Sequence, residues 1–254
     1  MALGHEAGWH CDMRPGNTGS ADTADEDLAS VRAMPVVLRI ERDMVPPRTA
    51  LLEAAASAAV ALCLDERAQP GGPWYPDVQS WLTGGIRKIT RRARGAQWVA
   101  VTELPGVTVE VGDAQVRALV PGLVAETPRA VTRLQIGGTD VPPDDAGLPP
   151  DGLPVLWLPP EPAMTVGKAA AQVGHATMLL ATLLAADCRV AELERWAAGG
   201  YRCSVRTASP HQWARLATEE RPERAWRDHG VLVVRDAGFT EVSPGTITVA
   251  VQVP

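Results

Sequence analysis

Three polar side chains recur at helical spacing in the segment GKAAAQVGHA, residues 167–176. An α-helix advances about 100° per residue, so Lys168, Gln172 and His175 fall within about 60° of one another on one face. That face carries an ammonium, an amide and an imidazole, which can stabilise negative charge, hold a carbonyl or move a proton. The alternative is that these residues form the solvated side of an amphipathic helix.

Lys168 is unusual for a solvated position. A cation in the first turn of a helix meets the positive end of the helix dipole, at a cost of about 0.3–1 kcal/mol. The chain also has only two lysines among its 24 basic residues, so a solvated cation would ordinarily be arginine here. Both observations favour a functional role for Lys168.

Other catalytic motifs are missing from the sequence. Gly167-Lys168 lacks the preceding glycine and the following Ser or Thr of a P-loop, and neither GxSxG nor GxGxxG occurs. The cysteines are far apart without CxxC spacing, which predicts free thiols, and we expect neither a metal nor a cofactor. No basic N-terminal region precedes an apolar stretch, so we expect a cytoplasmic protein without a membrane partner.

The excess of acidic residues lies in two segments. Residues 1–34 carry six acids and two arginines, and residues 137–153 carry four aspartates and no base. Both are rich in Gly, Pro and Asp, which is typical of a disordered tail and an unpacked linker. The remaining chain is near neutral, so the net charge of −6 does not exclude a nucleic-acid partner.

An internal repeat organises the rest of the chain. Three pairs of segments share patterns in the same order: 35–62 with 154–181, 81–98 with 196–213, and 107–122 with 231–245. Such repetition predicts two homologous domains, 35–136 and 154–254, joined by the acidic linker 137–153. Each half alternates strands with helices, so we expect an α/β fold made of two tandem three-layer α/β/α domains with small mixed sheets.

The C-terminal half resembles a known family of enzymes. GKAAAQVGHA, together with VRDAGFTEVSPGTITVAVQ at 234–252, is similar to the two signature segments of type II peptidyl-tRNA hydrolases. Val173 replaces a cysteine of the first segment, and Phe239 replaces an arginine of the second. The resemblance implies an esterase that cleaves the bond between a peptide, or an N-blocked aminoacyl group, and tRNA, so that the tRNA is recycled.

The resemblance also implies a set of catalytic residues: Lys168, Gln172, His175, Asp236 and Thr240. By this hypothesis Asp236 positions Lys168 and orients water, and Lys168 stabilises the developing negative charge. Gln172 and Thr240 hold the carbonyl or the ribose. His175 contacts the tRNA end or tunes Lys168; a partly buried structural histidine is the alternative.

The N-terminal half lacks this polar set, because its matching positions are Thr49, Glu53, Ala56, Asp113 and Arg117. It does carry a basic run, RKITRRAR, for which a solvated strand is the alternative explanation. Since Lys and Arg bind a polyanion by displacing its counterions, the run predicts tRNA contacts by Arg87, Lys88, Arg91, Arg92 and Arg94.

Type II hydrolases form dimers, so the resemblance implies that the two halves pair as a pseudo-dimer within one chain; a homo-oligomer stays open. A function of a different class stays open as well, namely a non-catalytic RNA- or ribosome-associated binding protein that retains the fold. Retention of the polar set in one half favours the enzyme.

Overall fold

The computed structural model describes residues 30–136, 141–217, 222–236 and 241–254. The N-terminal half contains β1 (Arg32–Arg39), α1 (Arg48–Leu64), α2 (Tyr75–Thr83), β2 (Lys88–Ala93), α3 (Ala96–Thr102), β3 (Gly106–Val111), β4 (Ala114–Leu119), β5 (Gly122–Leu123) and α4 (Arg129–Thr132). The C-terminal half contains β6 (Val155–Leu158), α5 (Val166–Ala186), α6 (Val190–Ala198), β7 (Ser204–Thr207), α7 (Pro210–Ala217), α8 (Pro222–His229), β8 (Val231–Arg235) and β9 (Ile247–Gln252).

Each half builds one small mixed sheet, and the two sheets have the same order and strand directions. The first sheet runs β2-β1-β4-β3 and the second β7-β6-β9-β8. In both, the first strand is parallel to the edge strand on one side and antiparallel to its neighbour on the other, β4 or β9. The first sheet has in addition the short β5, which pairs with the start of β1. The predicted α/β class is therefore confirmed.

The two alanine-rich helices α1 and α5 pack against each other between the sheets. Their small side chains permit a close approach: a Cβ atom added to Gly174 would lie 3.0 Å from the Cβ of Ala59. The hydroxyl of Thr177 also donates a hydrogen bond of 2.7 Å to the carbonyl of Ala56. The alanines thus serve the contact between the halves.

Further helices cover the outer faces of the sheets. A second core cluster joins Val37 and Leu119 of the first sheet to Trp98 of α3 and Val131 of α4. Helix α8 packs on β8 and α7 on β9. Helix α5 itself contacts both halves: its neighbours include β8, β9 and α6 of the C-terminal half, and α1 and β2 of the N-terminal half.

The structure corrects two expected boundaries. Strand β1 begins at Arg32, inside the segment 1–34 that was expected to form the tail. The linker is anchored to the first half at two points, although most of its described residues are exposed: Val141 is buried, and the carboxylate of Asp144 accepts a 2.8 Å hydrogen bond from the amide of Thr49. Low hydrophobicity did not prevent this anchoring, because the linker binds through polar groups to α1 and to Arg206 of β7.

The similarity between the halves extends to side-chain contacts. The indole of Trp81 donates a 2.8 Å hydrogen bond to the carbonyl of Arg87. The indole of Trp196 donates a bond of the same length to the carbonyl of Arg202. These residues belong to the second pair of similar segments.

The third pair of similar segments, 107–122 and 231–245, does not correspond in the structure beyond the first strand of each segment. Only Gly112 and Asp113 join β3 to β4, whereas residues 236–246 join β8 to β9. The Pro-Gly of the first half therefore follows β4, and Pro244-Gly245 precedes β9. Asp113 lies in a tight hairpin and Arg117 within β4, so neither occupies a loop like that of Asp236.

Helix α5 is long and apolar enough to cross a membrane by length and composition alone. More than half of its most apolar window is nevertheless buried inside the protein, as in the core helix of a soluble domain.

Candidate active site

A buried ion pair joins the start of α5 to the end of β8. The ammonium of Lys168 lies 2.6 Å from Oδ1 of Asp236, and the two side chains are 8% and 6% exposed. Their attraction is thus little screened by water. It also gives the cation in the first helical turn a negative partner, which offsets the unfavourable helix dipole.

The backbone around Asp236 fixes this carboxylate in place. The amide of Asp236 donates to the carbonyl of Thr246, and its own carbonyl accepts from the amide of Gly245, at 2.9 and 2.8 Å. Gly245 has a φ of +81°, a conformation that glycine adopts without strain. The ladder between β8 and β9 also shifts register between Val234 and Arg235, directly before the aspartate.

A chain of hydrogen bonds continues from Asp236 into the second sheet. The amide nitrogen of Gln172 donates to Asp236 Oδ1 at 2.8 Å. The hydroxyl of Thr248, in β9, donates to the amide oxygen of Gln172 at 2.7 Å. This chain orients the Gln172 amide unambiguously, because its oxygen is an acceptor and its nitrogen a donor.

Thr248 was not singled out from the sequence. Its side chain is 1% exposed, and a hydroxyl in such a place requires a hydrogen-bond partner. The sequence does show a threonine among valines and an alanine in a strand that packs against the core helix. This pattern indicates a buried hydroxyl, but it does not identify the hydrogen-bond partner.

Two further missed residues secure the start of α5. Thr165 caps the helix, since its hydroxyl oxygen accepts a hydrogen bond from the amide of Lys168 at 3.2 Å. The carboxylate of Glu241 accepts bonds from the hydroxyl and the amide of Thr165, at 2.7 and 3.1 Å. The loop after β8 is therefore attached to the helix start; Thr240 itself lies outside the described residues.

His175 does not join the Lys168–Asp236 pair. Its Nδ1 lies 3.4 Å from the ammonium nitrogen of Lys88 in β2 of the other half. Burial and the nearby Lys88 lower the pKa of His175 to about 3, and burial lowers the pKa of Lys88 to about 7. At this depth α5 already lies beneath the first sheet, so the imidazole faces that sheet and is neutral at neutral pH.

The basic run is divided between the two faces of β2. Lys88 is half-buried against the ring of Trp81, 5.5 Å from its centre, and does not form part of an open cationic surface. Arg91 points to the other face and donates to the carbonyls of Thr132 and Leu134. This alternation follows from the strand, because successive side chains point to opposite faces.

Arg92 and Arg94 lie near the end of β2, where they line one cavity together with Arg42, Glu41 and three apolar side chains. Arg87, before the strand, is half-buried. Arg42 is exposed and was not singled out from the sequence. The structure thus brings together part of the predicted basic set and adds one arginine to it.

The cluster at the head of α5 has the groups that ester hydrolysis requires. A buried ammonium can stabilise an oxyanion, a carboxylate can accept a proton or orient water, and an oriented amide can hold a carbonyl or hydroxyl. The C-terminal half matches a family of peptidyl-tRNA hydrolases. Specifically, residues 158–254 match the family model described as Peptidyl-tRNA hydrolase PTH2.

This match covers the whole cluster formed by Lys168, Gln172 and Asp236, and it confirms the resemblance for the C-terminal half. It does not extend to the N-terminal half. No curated protein and no solved structure showed significant similarity to the chain.

Proposed function

We propose that this protein hydrolyses the ester bond between a peptide, or an N-blocked aminoacyl group, and tRNA. The observation that carries the proposal is the Lys168–Asp236 pair, 2.6 Å long and hydrogen-bonded to Gln172, inside the segment that matches the hydrolase family.

In the proposed reaction, water adds to the ester carbonyl carbon and the carbonyl oxygen becomes an oxyanion. Lys168 stabilises this charge, and Asp236 orients the water and accepts its proton. The bond from the carbonyl carbon to the ribose oxygen then breaks, and that oxygen takes up the proton that Asp236 accepted from the water. The products are a peptide with a free carboxyl group and a tRNA with a free terminal hydroxyl.

The buried pair also favours an enzyme over the alternative, a non-catalytic RNA- or ribosome-associated protein. A buried ion pair is frequently no more stabilising than apolar residues of the same volume, because both charges lose their hydration. A protein that only binds RNA through its surface has no need of Lys168 and Asp236 in this position.

We further propose that the two halves descend from one repeat and pair as a pseudo-dimer, with catalysis restricted to the C-terminal half. The equal sheet orders and the matching bonds of Trp81 and Trp196 support this proposal. The N-terminal half lacks a loop between β3 and β4 that could hold an aspartate like Asp236.

A turnover assay with labelled peptidyl-tRNA tests the activity. The wild-type protein is expected to release peptide, and Lys168→Ala and Asp236→Ala to abolish release. The double variant Arg224→Ala/Asp228→Ala is a matched control, since it removes an ion pair that is 67% and 44% exposed in the same half. Release by the Lys168 variant at the wild-type rate would rule out the assignment.

The tRNA contacts are proposed to lie on Arg42 and Arg94, which line one cavity. Replacing both by glutamine is expected to weaken binding of deacylated tRNA and to reduce the slope of log K against log salt by about one per contact. An unchanged slope would show that these arginines do not touch the tRNA backbone.

A further inference from the structure

The linker lies across the head of α1, the place that corresponds to the active site of the other half. Asp144 accepts hydrogen bonds from the amide and the hydroxyl of Thr49, at 2.8 and 3.0 Å. Arg48 donates to the carbonyl of Val141 at 3.2 Å. A peptide segment therefore occupies the N-terminal half's equivalent of a substrate site.

Arg206, at the edge of the second sheet, holds this segment by its backbone. Its guanidinium donates to the carbonyls of Gly147 and Ala146, at 2.9 and 3.2 Å. The same guanidinium is fixed by Glu53 of α1, whose carboxylate lies 2.9 Å away. One arginine from the opposite half thus binds two consecutive peptide carbonyls at the head of a helix.

Arg92 is the counterpart of Arg206 by strand register, although the ungapped pairing of residues 81–98 with 196–213 matches Arg206 with Arg91. In the first sheet Leu38 is paired with Arg92, and in the second Trp157 is paired with Arg206. Both pairs lie three residues after the proline that begins the similar segments, and both arginines stand on the edge strand parallel to the first strand. The strand register therefore places the two arginines at the same position of the two sheets.

The strand that carries Arg92 also reaches the head of the opposite helix. Two residues before it, the hydroxyl of Thr90 donates a 2.8 Å hydrogen bond to the carbonyl of Gly167, the neighbour of Lys168. Strand β2 runs from the level of His175 toward the start of α5, and Arg92 lies farther along in that direction. Its side chain points to the same sheet face as that of Thr90.

The cavity beside Arg92 has partners for every part of a peptide. Its wall combines arginines with the carboxylate of Glu41 and the apolar side chains of Ile40, Val45 and Val141. A hydrogen bond from the amide of Gly95, followed by Arg39, lowers the pKa of Glu41, so this group is negatively charged at neutral pH. The arginines offer donors to peptide carbonyls, while Glu41 and the apolar side chains offer partners to peptide amides and apolar side chains, which a phosphate alone would not use.

From these contacts we infer that Arg92 binds backbone carbonyl groups of the peptide carried by the substrate, as Arg206 binds those of the linker. This inference rests on the proposed function and names its acyl specificity. Arg92 is then a positioning residue, supplied by the N-terminal half, that distinguishes a peptidyl group from a single blocked amino acid.

Calorimetric titration with two amide-linked analogues tests the inference, because an amide in place of the ester allows binding to be measured without turnover. One adenosine analogue carries a tetrapeptide and the other a single N-acetylated amino acid. Arg92→Ala is expected to weaken binding of the tetrapeptide analogue by on the order of tenfold or more, which is the loss expected when hydrogen bonds from a charged donor are removed. It is expected to change the affinity for the short analogue by less than about threefold, since that analogue lacks the additional carbonyls.

Arg129→Ala removes an exposed arginine of the same half and serves as the control, with no effect expected on either analogue. Equal losses for both analogues, a parallel loss for deacylated tRNA, or no loss at all would overturn the assignment of Arg92 to the peptide. A further outcome is that the wild-type protein binds the tetrapeptide analogue more tightly than the short one and yet fails to hydrolyse peptidyl-tRNA. That result would refute the proposed hydrolysis but support the peptide-binding role of Arg92.

Discussion

Replacing Lys168 by methionine is the most direct way to separate the chemistry of the buried pair from its contribution to stability. The Lys168–Asp236 pair is 2.6 Å long, and both side chains are less than a tenth exposed. The values for surface ion pairs, up to about 1 kcal/mol, therefore do not apply. Removal of one partner from a buried pair costs about 3–5 kcal/mol, because the remaining charge stays desolvated without its counter-charge.

For a domain of this size, such a loss lowers the melting temperature by roughly 6–20 °C. Turnover is expected to fall by about 10²–10³-fold, the usual effect of removing one group that stabilises an oxyanion. Thermal unfolding and release of labelled peptide from peptidyl-tRNA, both measured on the same preparations, give the two quantities.

The double variant Lys168→Met/Asp236→Asn distinguishes the two effects. It removes the orphaned carboxylate while keeping an acceptor for the Gln172 amide, so most of the stability is expected to return. Activity is not expected to return, since both charged groups are gone. Recovery of turnover along with stability, or turnover within about threefold of wild type in Lys168→Met alone, would show that the pair only supports the fold.

Three further predictions concern the contact between the halves. Gly174→Ala places a Cβ 3.0 Å from the Cβ of Ala59 and is expected to lower the free energy of unfolding by about 1–3 kcal/mol. The double variant Gly174→Ala/Ala59→Gly is expected to recover this loss, as measured by denaturant unfolding. Arg206→Ala is expected to cost about 1.5–3 kcal/mol and to increase proteolysis of the linker; an unchanged cleavage rate would contradict its anchoring role. The pKa of folded His175 is about 3 against 6.5 in the unfolded chain, so between those values the unfolded state binds the extra proton and stability rises with pH. His175→Leu should flatten this rise in urea titrations, and an identical pH profile would place the imidazole in water.

Local patterns predicted much of the site's framework. The alternation of strands with alanine-rich helices indicated two α/β units, and the structure has one small mixed sheet in each half. Spacing by four residues placed Lys168 and Gln172 on one side of α5, and both side chains reach Asp236. These features depend on the geometry of a single element, which a short segment specifies.

Residue chemistry alone did not join Asp236 to Lys168, which is 68 residues away along the chain. The resemblance to a family supplied that link, and the tertiary structure gives its physical form: the strand end and the helix start meet at one edge of the second sheet. Thr248 was missed for the same reason, since its partner lies on another element.

The N-terminal half shows why sequence spacing alone did not place the other predicted residues. The basic run is continuous in sequence, but in β2 its side chains alternate between two faces. Lys88 is therefore partly buried against Trp81, whereas Arg91 donates to the carbonyl of Leu134 on the other face. His175 satisfies the helical spacing, yet β2 covers it.

The sequence by itself determined the secondary structure of each half and the polar face at the head of α5, because helix and strand periodicities are local. Only the tertiary structure decided which charged groups are buried, which are paired, and that β2 of one half reaches the helix of the other. Burial and pairing depend on neighbours far away in sequence, and they decide whether a lysine is solvated, structural or reactive.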